Sequence, residues 1–163
     1  MRSIVKDSSA YLLKRTILLV LKIILASGYS TLFVYALFFA RRRRHLTEHH
    51  LNLKPIKGTI DNFLKIDPAG NHEYLNFYTN LLGNIALFIP FSLILFSLVG
   101  VRGSKKVMLI AFTVSVLIEF IQYILYRGVA DVDDILLNMI GAILGCVIYK
   151  NLIEKWEAKL VTR

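Results

Sequence analysis

Residues 118–145 read IEFIQYILYRGVADVDDILLNMIGAILG, and this stretch decides the fold. Two apolar runs flank a polar joint that carries Arg127, Asp131, Asp133 and Asp134. Before the joint, Ser115, Glu119, Gln122 and Tyr126 recur at intervals of four, three and four residues; after it, Asp134, Asn138, Gly141 and Gly145 repeat the pattern. Residues three or four apart share one face of a helix, so both runs are predicted as helices with a polar stripe. The chain reverses at the joint. Gly141 and Gly145 form a small-xxx-small pair, which lets another helix approach closely.

Working outward, the same kind of run recurs. Crossing about 30 Å of hydrocarbon takes roughly 20 mostly apolar residues. Residues 80–99 carry no charge, residues 107–126 only Glu119, and residues 16–40 only Lys22, near enough to the end for its ammonium to reach the headgroups. Residues 132–149 open with Asp133 and Asp134 and are apolar thereafter. The predicted fold is an all-α integral membrane protein, one domain over residues 1–163, with four transmembrane helices at 16–40, 80–99, 107–126 and 132–149. The first run is longer than the core of a cleavable signal and ends in Arg41 to Arg44, so it is expected to be retained. Pro90 is expected to kink its helix. In the loop between the first two helices, Pro55, Gly58, Pro68 and Gly70 break the chain into pieces. There Leu51, Leu53, Ile56, Ile60, Phe63, Leu64 and Ile66 predict one or two short interfacial segments.

Composition agrees. The chain of 163 residues is 56% apolar and 19% charged, against about 45–50% and 25% in soluble domains. Lys and Arg outnumber Asp and Glu by 20 to 11, for a net charge of +9. In so apolar a chain that surplus points to anionic headgroups rather than to nucleic acid. Cys146 is the only cysteine, so neither a disulfide framework nor a cysteine metal site is expected. There is no phosphate-cradling glycine loop and no nucleophile elbow. His45, His49 and His50 include a pair four residues apart, without a third ligand, and are read as solvated interfacial residues.

The polar residues of the runs are not scattered. Asn80 and Asn84 begin the second helix, Glu119 and Gln122 end the third, and Asp134 and Asn138 begin the fourth, which places all six at one membrane face. Glu119 lies about 12 Å along the helix from Arg127 at 1.5 Å per residue. Two readings stand side by side: a carboxylate neutralised as packing glue, or a base or proton carrier with a raised pKa. Asp131, Asp133 and Asp134 with Glu119 offer the carboxylate oxygens that a divalent cation takes, but Asp131 and Asp133 read rather as caps of the fourth helix, and Asp134, on the Asn138 stripe, as a member of the site. Arg127 suits either a structural ion pair with these aspartates or a bidentate ligand contact.

The runs 80–90, NLLGNIALFIP, and 118–145 resemble the VanZ family of small bacterial membrane proteins. The matching positions are Asn84, Phe88, Pro90, Glu119, Gln122, Arg127, Asp131, Asp134, Asn138, Gly141 and Gly145, and residues 52–60, NLKPIKGTI, resemble a weaker segment of the family in which Phe is usual at Ile56. The resemblance implies a cell-envelope protein linked with resistance to the glycopeptide teicoplanin, and no settled reaction. The candidate catalytic residues are Glu119 and Asp134. Asn84, Gln122, Arg127, Asp131 and Asn138 are the candidate substrate contacts. No residue is assigned to a metal, and the cofactor and the oligomeric state are left open. The partners expected are membrane lipids, including an anionic or glycosylated lipid, a lipid-linked cell-wall precursor or a lipoglycopeptide. Two further readings compete: a non-enzymatic structural or partner-binding membrane protein, and a small proton- or ion-coupled transporter.

Basic residues set the expected orientation in the bacterial cell membrane. With four helices, the two tails and the 100–106 loop share a side and hold eleven Lys and Arg, against eight on the other. The larger number marks the cytoplasmic side, which puts both termini there. A reporter active only in the cytoplasm is therefore expected to be active when fused after Arg163 and silent when inserted near Gly70; the reverse pattern inverts the topology.

Overall fold

The computed structural model describes residues 2–37, 51–64, 71–126 and 130–156. In chain order the elements are α1 (Arg2–Tyr35), β1 (Leu51–Asn52), α2 (Lys57–Leu64), α3 (Asn71–Ser97), α4 (Ser104–Ile124), β2 (Ala130–Asp131) and α5 (Val132–Ile148), followed by a π-helical turn, Tyr149–Ile153. Four helices carry apolar stretches long enough to cross a membrane: Leu12–Tyr35, Phe77–Ser97, Ser104–Ile124 and Val132–Trp156. The all-α, four-span architecture read from the sequence is the one found, with a short helix, α2, between the first two spans.

α1 and α3 begin before their apolar stretches. α3 starts at Asn71 rather than near Asn80, because no glycine or proline interrupts residues 71–82 although the hydropathy of these first turns is low. α3 is continuous through Pro90. Close to that proline, the Tyr29 hydroxyl of α1 donates to the Leu87 carbonyl at 2.6 Å, so a neighbouring helix supplies a donor beside the carbonyl that proline leaves free. The joint between α3 and α4 turns on Gly100 and Gly103, at φ 77° and 91°, a region that a Cβ disfavours.

α5 packs against both α3 and α4, and its contact with α3 is the most extensive between helices among the described residues. A Cβ on Gly141 would lie 2.2 Å from the Ile85 carbonyl oxygen, and one on Gly145 would lie 2.6 Å from that of Ile89. The two backbones therefore touch over one turn of each helix, and the Ser92 hydroxyl adds a bond to the Ala142 carbonyl at 3.2 Å. Around this seam Phe88, Ala111, Ile118, Ala142 and Leu37 form one buried cluster, and Leu95, Phe96, Val107 and Cys146 another. α1 is peripheral: 6% of its apolar stretch is buried, against 44% for the last span. It docks through Tyr29 and through Phe33, whose ring meets Phe88 and Phe91 at 5.7 and 5.9 Å. Lys22, expected to reach for headgroups, bonds the Ser97 carbonyl at 3.3 Å, where a cation also meets the negative end of α3.

Replacing Gly141 with Ala is expected to lower the stability of the folded protein by about 1–3 kcal/mol, because backbone rather than a flexible side chain must give way. Leu at both Gly141 and Gly145 is expected to abolish the folded species. Gly83→Ala meets nothing within 4 Å and is expected to leave unfolding unchanged or slightly harder. Size-exclusion profiles and thermal unfolding in detergent check all three.

Candidate functional site

The polar residues converge where α3 and α5 begin and α4 ends. Glu119, 5% exposed, accepts a hydrogen bond on Oε2 from the Asp131 amide at 3.1 Å. Asp134, at the first turn of α5, accepts from Asn80 Nδ2 of α3 at 3.1 Å. One turn deeper, Asn138 donates to the Ser115 hydroxyl of α4 at 2.7 Å, with both residues buried. Asn84 is buried on α3, one turn below Asn80. Asp134 thus meets α3, and Asn138 meets α4.

A segment far away in sequence closes the site from outside. β1 pairs in parallel with β2, with Leu51 opposite Ala130 and Asn52 opposite Asp131. Asn52 donates from Nδ2 to Asp131 Oδ1 at 3.0 Å, while its own carbonyl oxygen accepts from the Lys54 amide at 3.3 Å. The turn that follows lies against Asp133. Its Oδ1 accepts from the Ile56 amide, and its Oδ2 accepts from the Thr59 amide at 2.9 Å and the Thr59 hydroxyl at 2.8 Å. Ile56 is held at φ 65°, the left-handed region that a β-branched residue avoids.

These contacts separate two aspartates that the sequence assigned the same work. Asp131 is the N-cap of α5: its extended backbone and its Oδ1 accepting the Asp133 amide at 2.9 Å are the expected geometry. Asp133 is not a cap of its own helix. Its carboxylate turns outward to the start of α2, where free helical amides and the positive end of the dipole attract it. Burial pushes the Asp131 carboxyl above the usual carboxylate range, and Asp134 and Asp133 push the same way, against the bonds from the Asp133 amide and Asn52.

Gln122 donates from Nε2 to the Leu37 carbonyl just beyond α1 at 3.1 Å. It ties α1 to α4. Arg127, Arg41 to Arg44 and the three histidines lie outside the described residues. Asn52 and Thr59 were not singled out from the sequence as site residues. The signal that could have found them is the NLKPIKGTI segment, whose polar positions are the ones that meet Asp131 and Asp133. Among the described residues no three His, Cys, Asp or Glu side chains are grouped to hold a metal ion. Chemically, the arrangement offers carboxylate acceptors in a poorly hydrated place, able to bind hydroxyl groups or to take a proton.

No curated protein matches the chain, and no solved structure does. A family model does, described as VanZ/LLP1, over residues 16–154, a range that holds the second and third spans whole, the first and fourth but for their outermost residues, and every residue of the site. With the seam, the paired helices and the segment over them inside that match, the chain is a multi-pass membrane protein that belongs to the VanZ/LLP1 family.

Proposed function

We propose that the protein works in the bacterial cell membrane, with both termini in the cytoplasm, and that the Glu119 and Asp134 site engages the head of a glycosylated or anionic lipid or of a lipid-linked cell-wall precursor. Its link to teicoplanin would then run through the envelope lipid that the antibiotic meets. The observation that carries this reading is that Glu119, buried on a membrane helix, faces the backbone of the same short strand that binds Asn52. A buried intramembrane carboxylate is costly and defaults to function. Sugar hydroxyls would donate to carboxylates such as Asp134, and the arginines that the sequence assigns to this face would meet a phosphate. Glu119 is the candidate base, Asp134 its partner, and Asn84, Asn138, Gln122, Arg127 and Asp131 the candidate contacts.

A specific observation favours a second reading, in which the polar residues only join helices. Asn80 to Asp134, Asn138 to Ser115 and Gln122 to Leu37 are all bonds inside the protein. The two readings diverge at Glu119→Gln. The amide can still accept from the Asp131 backbone, so the fold and melting temperature are expected to change little. As a base, Glu119 is worth about a hundredfold or more in rate, so the variant is expected to lose teicoplanin resistance in cells at normal expression. Full resistance with unchanged melting leaves the helix-joining role alone.

Asp131 gives a pH test of the same neighbourhood. Its folded carboxyl binds a proton more readily than the unfolded one, so the native state holds more protons between the usual carboxylate pKa and the raised value. Over that window its contribution to stability falls as pH rises. Asp131→Asn is expected to flatten this slope in detergent unfolding measured from mildly acidic to neutral pH; an unchanged slope assigns it to another group.

A further inference from the structure

The end of the molecule opposite the carboxylates carries a second binding feature. Between the first turns of α4 and the last turns of α5 lies a groove of about 260 Å³, lined by Ser104, Met108, Ile143, Cys146, Val147 and Lys150. Ser104 is fifteen residues from Glu119 along α4, about 22 Å at 1.5 Å per residue, so this groove is separate from the site above. Met108, Ile143 and Val147 make its walls apolar, and Ile143 and Val147 stand open to the outside of the bundle. Its rim is cationic. Lys150 lines it directly, and Arg102, Lys105, Lys106 and Lys155 are exposed on the same helix ends, with Glu154 the one acid among the described residues there.

Local structure aims Lys150. Ile143, Val147 and Lys150 lie at spacings of four and three, one stripe of a helix. At the next residue but one to Val147 the helix widens into the π turn Tyr149–Ile153, a feature frequent at functional sites. Tyr149 stacks on Phe96 of α3, with ring centroids 4.4 Å apart and planes within 3°. That stack holds one side of the turn to the bundle and leaves Lys150 on the groove side.

We infer that this groove seats one anionic phospholipid of the surrounding bilayer, an acyl chain lying along Met108, Ile143 and Val147 and the phosphate group meeting Lys150 and the Ser104 hydroxyl. An apolar slot with a cationic rim at a membrane boundary is complementary to an amphiphile with a negative head, and a zwitterionic lipid would satisfy the slot without the rim. The site serves as a fixed lipid contact between α4 and α5, and it acts whether or not the carboxylate site binds a lipid.

Native mass spectrometry of the purified full chain, titrated in detergent with dioleoyl phosphatidylglycerol or dioleoyl phosphatidylcholine, tests it. The unmodified protein is expected to retain one phosphatidylglycerol with at least about fivefold preference, the effect of roughly one lysine near a membrane surface. Lys150→Gln is expected to bring the two lipids within twofold. Ile143→Trp or Val147→Trp, which fill the slot at exposed positions, are expected to lower retention of both lipids. Lys155→Gln, off the groove, is expected to keep the preference. Equal retention of the two lipids by the unmodified protein overturns the inference. So does a preference that survives Lys150→Gln, undiminished retention of both lipids in either tryptophan variant, or a preference that falls equally with Lys155→Gln, which would mark diffuse surface charge.

Discussion

The contact of the α5 backbone with the α3 backbone at Gly141 and Gly145 is the constraint from which the rest follows. In lipid there is no hydrophobic gain in bringing two apolar helices together, so close packing and polar bonds must hold them. Glycine supplies the first by removing the side chain that would keep the axes apart, leaving its Cα hydrogens against the Ile85 and Ile89 carbonyls. Ser92 supplies the second through Ala142. Two turns nearer the membrane boundary, the same approach brings Asp134 to Asn80. The polar cluster is thus a consequence of where the glycines let α5 lie.

Non-helical backbone at a membrane boundary needs partners for its amides, and this chain provides them with carboxylates. Glu119 takes the Asp131 amide, Asp131 takes the Asp133 amide, and Asp133 takes those of Ile56 and Thr59. The acids run in series from the buried helix to the surface segment, each satisfying the backbone of the next piece. Removing one leaves a donor of its neighbour bare, which is why their roles in structure and in chemistry overlap.

Much of this was legible in the sequence because lipid makes polarity expensive. The four spans, the Gly141 and Gly145 face and the gathering of Asn80, Glu119, Asp134 and Asn138 at one end all follow from apolar length and helical spacing. The partner of each was not legible, because spacing fixes a face and not the neighbour it meets. Gln122 shares the Glu119 stripe and yet bonds the chain beyond α1. Asp133 looked like a cap, since any aspartate in a first turn does, and only the return of the distant 51–59 segment turns it away. Apolar length likewise underestimated α3, because helix propensity continues after hydropathy has fallen.

The backbone of Ile56 adds a thermodynamic link to this picture. An L-residue in the left-handed region is disfavoured by about 1–2 kcal/mol, and at Ile56 that cost is met beside an amide bonded to Asp133. The same carboxylate also holds Thr59. A hydroxyl or cation that competes for Asp133 therefore competes with the turn itself, and whatever weakens the bonds lets Ile56 relax toward an ordinary conformation. Occupancy at Asp133 and the docking of β1 and α2 are two sides of one equilibrium: tighter docking means weaker capture there, by the same factor in each direction.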